Sequence, residues 1–507
     1  MNELVIGVDA STTAIKAIVF DRNGAIVSEG RHPIGLANPE SDGWEQDAEE
    51  WWSAFERAVG RAVGGLAPER IGDVRALAVA NQRETFVLVG EDGAPLHPAL
   101  VWMDARCRPE VAAATRALGA DHLHTLTGKP ACVTPSFYKA AFLLGRKAPE
   151  LRARAPRLLD VHAFLALRMT GELVTSIAAA DPLGLSSITS LDWADPLLEY
   201  LGLTRASVPR LVPPGSTLGA LLPAVAQRLK LPPGLPIVAG AGDGQAAGLG
   251  AGITTSDRAY MNLGTAIVSG VLSREPRLDR AFRTLAGAVP GTFFLETDLK
   301  GGLFTVGWLV DKWLGRGRRK SDDEIIRELD EEARALRPGS GGLVVVPYWN
   351  GVMNPYWDDD ATGIVMGFRG DHGPAHLYRA ILEGIAFEER LHSRAVEAAT
   401  GTPIRELVVM GGAATSDLFC QILADVLERP IVRSGTHEAT ALGAAMLAAL
   451  GAGVHASADD AARAMTRTGV TFVPGDASAA YGKLFEEVYA GLFPEVRARM
   501  ARLRELA

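Results

Sequence analysis

Asp9 closes an apolar run, Leu4 to Val8, and is followed by Ser11-Thr12-Thr13. A carboxylate beside a turn of small hydroxyl residues suits Mg2+ held through waters, because Mg2+ takes a few carboxylates and substrate phosphates. The turn would direct backbone N–H groups and threonine hydroxyls at phosphate oxygens. A second turn of the same kind, Gly264-Thr265, lies within Tyr260 to Gly270. Singly, each is an ordinary hairpin, and a lone turn aspartate is more simply an Asx-bonded residue. One in each half of the chain fits a nucleotide polyphosphate gripped from two sides.

Asp243 lies in AGAGDGQAAGLG, flanked by glycines at the end of an expected strand. Open α/β sheets carry ligands at such strand ends. A carboxylate there can accept the proton of a hydroxyl that attacks phosphorus. The ordinary alternative is a helix N-cap, and the two roles are compatible. Asn81-Gln82-Arg83-Glu84 ends another strand and offers donors and acceptors to a polyhydroxylated ligand. Trp102, Asp104 and Arg106 end the next and add a stacking face; surface ion pairs are the plainer reading of both sets. Gly411-Gly412, running on to Ser416-Asp417, follows a strand and opens a helix, a turn that brings backbone close to a flat or anionic ligand.

These residues need strands and helices to place them. Val5 to Val8, Ala17 to Phe20, Ile26 to Ser28, Val74 to Ala80 and Ala99 to Met103 read as strands, with a hairpin at Asn23-Gly24. Asp47 with Glu50 reads as a capping box opening a helix to about Val63. Leu151 to Met169 is helical in period, and residues 204–236 read as a proline- and glycine-rich connection. The second half repeats the grammar, with strands near 259–270, 343–347 and 406–410 and a helix over His376 to Ala399. Alternating strands and helices predict an α/β protein. The expected division is 1–247, 248–480 and an arginine-rich surface helix over 481–507, packed on the second domain.

At 507 residues the chain exceeds one core. A net charge of −9 disfavours nucleic-acid and anionic-membrane partners. Three scattered cysteines lack metal or redox spacing, which predicts a reducing compartment. No leader-like start and no long uncharged apolar run is legible. The expectation is a cytoplasmic protein, compatible with a homodimer.

Together the motifs resemble the FGGY family of carbohydrate kinases, of the actin-like (ribonuclease H-like) superfold, over nearly the whole chain. TPSFYKAAFLL from Thr134, with Lys139, resembles the family's first signature, and Phe142 stands where tryptophan is usual. Pro347 to Phe368, continuing through His376 to Glu383, resembles the approach to the second. VVMGGAATSDLFCQILADVL resembles the adenosine motif. The resemblance implies two domains with a nucleotide cleft between them, and ATP and Mg2+ as cofactors. Asp243 would be the general base and Asp9 the Mg2+ residue. Thr12, Thr13, Lys16, Gly264 and Thr265 would hold phosphates; Gly302, Gly307, Gly411, Gly412 and Ser416 would surround the adenosine. Arg83, Glu84, Trp102 and Asp104, with Asp243, would bind a small sugar or polyol.

The chain departs from the family at Ser11, in place of the hairpin glycine. Thr134, Gly244 and Val268 replace larger residues of the glycerol kinase branch, which predicts a more open pocket and a ketopentose such as xylulose or a longer sugar alcohol, with a glycerol or sugar-alcohol kinase as the alternative. Trp102-Met-Asp104-Ala-Arg106 looks like the xylulokinase branch, yet Arg83-Glu84 stands where that branch carries Met-His. An actin-like or chaperone ATPase is the rival reading, and the Arg83, Glu84, Trp102 and Asp243 set argues against it.

Overall fold

Residues 3–314 and 320–506 are described by a computed structural model. The first strand, β1 (Leu4–Ala10), is buried at six of seven positions and pairs antiparallel with β2 (Ala14–Asp21). Near-continuous burial marks a central strand covered on both faces. The sheet adds β3 (Ile26–Pro33), β4 (Val74–Asn81), β5 (Thr217–Ala220) and β6 (Pro236–Gly242), in the order β5-β6-β4-β1-β2-β3. β1, β4 and β6 are parallel.

A second sheet repeats this scheme. It comprises β7 (Arg258–Leu263), β8 (Ile267–Ser273), β9 (Arg283–Ala286), β10 (Phe293–Leu299), β11 (Glu406–Met410), β12 (Ile431–Ser434) and β13 (Thr468–Phe472). Its order is β9-β10-β8-β7-β11-β12-β13. β7 and β8 form the second hairpin, and β7, β11 and β12 are parallel. Each sheet thus has an antiparallel hairpin extended by parallel strands, the duplicated α/β architecture of the actin-like, ribonuclease H-like fold.

The helices are α1 (Ala48–Gly64), α2 (Val161–Thr170), α3 (Asp243–Gly250), α4 (Pro374–Thr400), α5 (Asp417–Leu427), α6 (Ala439–Gly451) and α7 (Ala490–Leu506). Asp47 caps α1 by accepting the Glu49 N–H, but Glu50 does not close a box; it accepts the Gly35 N–H at 2.8 Å. The single helix expected over 151–169 is three pieces. Pro156 cannot continue a helix, and Arg157–Asp160 instead pairs with Phe86–Val89 before Asp160 caps α2. The connection 204–236 contains β5 and a short helix, Pro223–Leu229.

α6 follows the second sheet in sequence yet packs on the first. Ala441, Ala445 and Ala448 share a core with Val5, Ile18, Ala78 and Val238. α3 and α6 touch through glycines: a Cβ on Gly443 would stand 1.9 Å from the Ala246 carbonyl oxygen, and one on Gly250 1.9 Å from that of Ala439. Toward the C-terminus, Tyr481, Phe485, Tyr489, Leu492 and Phe493 are buried in the core of the second sheet. Tyr489 donates to Glu388 at 2.7 Å. The segment expected as a surface helix therefore contributes core, and its exposed arginines lie beyond Phe493.

Candidate active site

β4 and β6 lie side by side, with Asn81 opposite Gly242. Both strands end here, so Arg83 and Asp243 emerge together at the carboxyl edge of the sheet. Asp243 is the first residue of α3, and its Oδ1 accepts the Gly244 N–H at 2.7 Å. Arg83 Nε stands 2.9 Å from the same oxygen. The Asp243 side chain is 40% exposed to the cleft, while Arg83 is 8% exposed. The cleft walls nonetheless strip water from Asp243 and raise its pKa; Arg83 opposes this and Glu84 adds to it. A carboxylate with one oxygen held and an open side chain can accept a proton from a docked hydroxyl.

Behind this pair lies a buried ionic network that sequence reasoning did not find. Arg83 Nη1 donates to Glu296 Oε2 at 2.6 Å. Arg283 donates from Nε to Glu296 Oε1 and from Nη1 to Glu84, both at 2.7 Å. Tyr260 donates to Glu296 Oε2 at 3.1 Å. Two arginines hold the Glu296 carboxyl below its ordinary range against the opposing effect of burial. Glu84 sits in the left-handed region, φ 50°, a strained conformation for a non-glycine residue that surrounding structure must enforce. Arg83 and Glu84 come from the first domain; Arg283 and Glu296 face each other on β9 and β10 of the second. The one available signal was the alternation Glu296, Asp298, Lys300 along a strand-forming run.

Gly244 does not open the pocket as expected. A Cβ there would stand 3.0 Å from Glu296 Oε2 and 3.1 Å from Arg83 Cζ, so these side chains already fill the space. Val268 is half-buried, and the Thr134 carbonyl accepts the buried Lys139 ammonium.

On the first hairpin, Asp9 stands opposite Lys16. Asp9 Oδ1 is buried without a hydrogen-bond partner. Burial pushes its carboxyl up to about 7, with Asp243 and Glu438 adding and Lys16 opposing. Ser11 fits the turn without a positive φ and donates to the Ala14 carbonyl at 2.8 Å. Thr13 is exposed, and Thr12 Oγ1 accepts the Trp102 indole N–H at 3.0 Å. That bond ties the aromatic wall, 40% exposed, to the hairpin.

Two of the charged side chains already have partners. Asp104 does not face a ligand: it is fully buried, its carboxylate bonded to Arg106 Nε and to the Trp44 N–H at 2.9 and 3.0 Å. Lys16 is engaged, its Nζ 2.5 Å from Glu438 at the start of α6.

Across the cleft a cavity of about 1130 Å³ is lined by Gly264, Thr265, Gly307, Tyr378, Gly412 and Ser416. Thr265 is exposed, and Gly307 and Gly412 have open space where a side chain would be. Ser416 lines the cavity, but its hydroxyl caps α5 and donates to Asp330 at 2.8 Å. Gly302 and Gly411 are outside the lining: Gly302 packs beneath the second hairpin against Ile267, and Gly411 against Asn262. Among the described residues no helix is long and apolar enough to cross a membrane.

Comparison with known proteins agrees with this geometry. The chain is 34% identical over 477 residues to a glycerol kinase of Acidovorax ebreus (strain TPSY), covering 90% of this chain and 92% of that one. It is 33% identical to a glycerol kinase of Thermococcus gammatolerans, covering 89% of each. In structure it superposes on a xylulose kinase from Rhodospirillum rubrum with a TM-score of 0.89 at 25% identity, covering 98% of this chain and 100% of that chain. A ligand-bound xylulose kinase from Lactobacillus acidophilus gives 0.90 at 22%, with 99% and 100% coverage, a likeness of fold. The models of the FGGY family of carbohydrate kinases match residues 4–250 with the N-terminal domain and 259–452 with the C-terminal domain. A duplicated actin-like fold, a carboxylate open to the cleft between paired hairpins, and matches over both halves have one meaning: the chain is a phosphotransferase and belongs to the FGGY family of carbohydrate kinases.

Proposed function

We propose that the protein transfers the γ-phosphoryl group of ATP to a terminal hydroxyl of a small open-chain sugar or polyol, with Asp243 as the general base. The observation that carries this reading is the state of Asp243: exposed on the cleft side, held by Arg83 Nε at 2.9 Å and capping nothing but its own helix start. The substrate lies against Trp102 and Asp243. Its hydroxyl gives its proton to Asp243 as the oxygen attacks phosphorus in line. Thr12, Thr13, Gly264 and Thr265 hold phosphates, and the large cavity takes the adenosine between Gly307, Gly412 and Tyr378. Lys16 joins the phosphates by exchanging Glu438 for them.

Asp9 fits Mg2+, since its buried Oδ1 lacks a partner beside the phosphate hairpin. Among the described residues no three His, Cys, Asp or Glu side chains stand together to hold a metal, so the ion would rest on Asp9, waters and phosphates. When bound, it would neutralise charge on the phosphate oxygens. The chain's own part is to hold the hydroxyl, take its proton and exclude water as the two halves close.

For the substrate, a ketopentose such as xylulose is the leading candidate and glycerol the alternative. Half-buried Val268 and the small Thr134 leave room for a longer chain, whereas the filled space at Gly244 does not. A coupled ADP-release screen over glycerol, erythritol, ribitol, xylitol, the xyluloses, ribulose and gluconate tests both parts. A five-carbon compound should exceed glycerol in kcat/KM by about tenfold. Glycerol as best substrate refutes the size argument. ATP turnover indifferent to every compound refutes the kinase reading in favour of an actin-like ATPase.

A further inference from the structure

β10 sends Glu296 and Asp298 to one face, because side chains alternate along a strand, and Lys300 follows just past its end. Glu296 is clamped by Arg83 and Arg283, and Lys300 is paired with Asp359 at 2.6 Å. Asp298, between them, is different. Its Oδ1 is buried and has no hydrogen-bond partner. Its own N–H donates to Asn354 Oδ1 at 2.9 Å, which fixes the backbone but leaves the side-chain Oδ1 unsatisfied. The cations nearest it, Arg83, Arg283 and Lys300, are bonded to other acids.

We propose that Asp298 is a specificity-determining residue whose carboxylate accepts a hydrogen bond from a hydroxyl of the substrate, at the end remote from the phosphorylated oxygen. This rests on reading the protein as a kinase of open-chain sugars or polyols, and it names their class: neutral compounds of four or more carbons. Asp298 is two residues along β10 from Glu296, which is bonded to the arginine that holds Asp243. Directly opposite Asp298 on β8 stands Val268, half-buried. An aliphatic wall beside an unpaired acceptor matches a carbon chain bearing a hydroxyl. A buried acceptor left without a donor is costly, so a site containing one favours a ligand that supplies it. Burial raises the Asp298 carboxyl to about 6, with Glu296 adding and Arg283 and Lys300 opposing, so it is ionised at neutral pH. With Glu84 and Asp243 nearby, an ionised Asp298 repels a substrate carboxylate, which disfavours aldonates.

The test measures kcat and KM by ADP release for glycerol, erythritol, ribitol, xylitol, D-xylulose and gluconate, with wild type, Asp298→Ala, Asp298→Asn and Val268→Phe. Wild type should prefer a neutral compound of four or five carbons to gluconate. Asp298→Ala should lower the kcat/KM ratio of that compound to glycerol by about tenfold, mainly through KM. Asp298→Asn keeps an acceptor of the same size and should recover most of the ratio. Val268→Phe covers the carboxylate without altering it and should lower the ratio as Asp298→Ala does, so the proposal stays testable if Asp298→Ala fails to fold. An unchanged ratio in Asp298→Ala or in Val268→Phe, or gluconate as preferred substrate, overturns the role of Asp298 and leaves the kinase reading standing. A wild type that phosphorylates no compound overturns both.

Discussion

Arg83 Nε and Asp243 Oδ1 stand 2.9 Å apart at the ends of neighbouring parallel strands, and the same guanidinium reaches Glu296 with Nη1 at 2.6 Å. One arginine thus links the cleft carboxylate of the first domain to a buried acid of the second. The position of Asp243 depends on residues from both halves of the chain, and the predictions below follow from that dependence.

Asp243→Asn keeps the size and the contact with Arg83 but cannot take a proton. We expect kcat to fall by about 10²–10⁴-fold, with the KM for ATP little changed because the adenosine cavity is on the other side of the cleft. Steady-state kinetics with the best sugar reads this directly. Turnover within a few-fold of wild type would mean another group is the base.

Glu296→Ala leaves Arg83 and Arg283 buried with their shared partner gone. Removing one member of a buried ionic group costs about 3–5 kcal/mol, and chemical denaturation should report a loss of that order. Glu296→Gln keeps the shape and should cost less. Equal losses for the two variants would show that the missing charge accounts for the whole cost and the lost volume for none of it.

Asp9 titrates near 7 in the folded protein, from a reference value of 3.8. Its folded pKa is raised, so the native state binds the extra proton between these values. Stability therefore falls as pH rises from about 4 to about 7, by a few kcal/mol at most. Asp9→Asn removes this term: it should raise the melting temperature relative to wild type at pH 8 and give no such gain at pH 4. It should also raise the Mg2+ concentration needed for half-maximal activity. A wild-type-minus-variant difference that is flat across pH 4–8 would contradict the assignment.

The phosphate hairpins belong to separate sheets, and one triphosphate can touch both only if the halves approach. Small-angle scattering with sugar and a non-hydrolysable ATP analogue should give a smaller radius of gyration than the free protein. An unchanged radius, with calorimetry showing both ligands bound, would mean the cleft is already closed.

The sequence made some of this site legible and hid the rest for identifiable reasons. Asp243, Arg83 and the hairpins could be read because strand ends and glycine turns are local features. Asp104 was misassigned because its partner, Arg106, consumes it within the same loop, and sequence does not say which of two neighbouring charges faces the cleft. The pairing of Lys16 with Glu438 was hidden because Glu438 comes from far along the chain. Arg283 and Glu296 were invisible because their role depends on the register of β9 with β10 and on the meeting of two domains. Pro156 was a written warning against one helix over 151–169, outweighed by apolar period.

The position of α6 also bears on how this protein is made. The first sheet is complete in sequence at Gly242, but Ala441 to Ala448, which cover Val5, Ile18 and Val238, follow about 200 residues later. At roughly 5–20 residues per second of synthesis, the ribosome needs about 10–40 s to cross that interval. During that time the emerging amino-terminal half displays an apolar sheet face that α3 covers only in part, through Ala246 and Leu249. The core of the first sheet is therefore closed only late in synthesis, by a helix from the far end of the chain, and not when its own last strand is made.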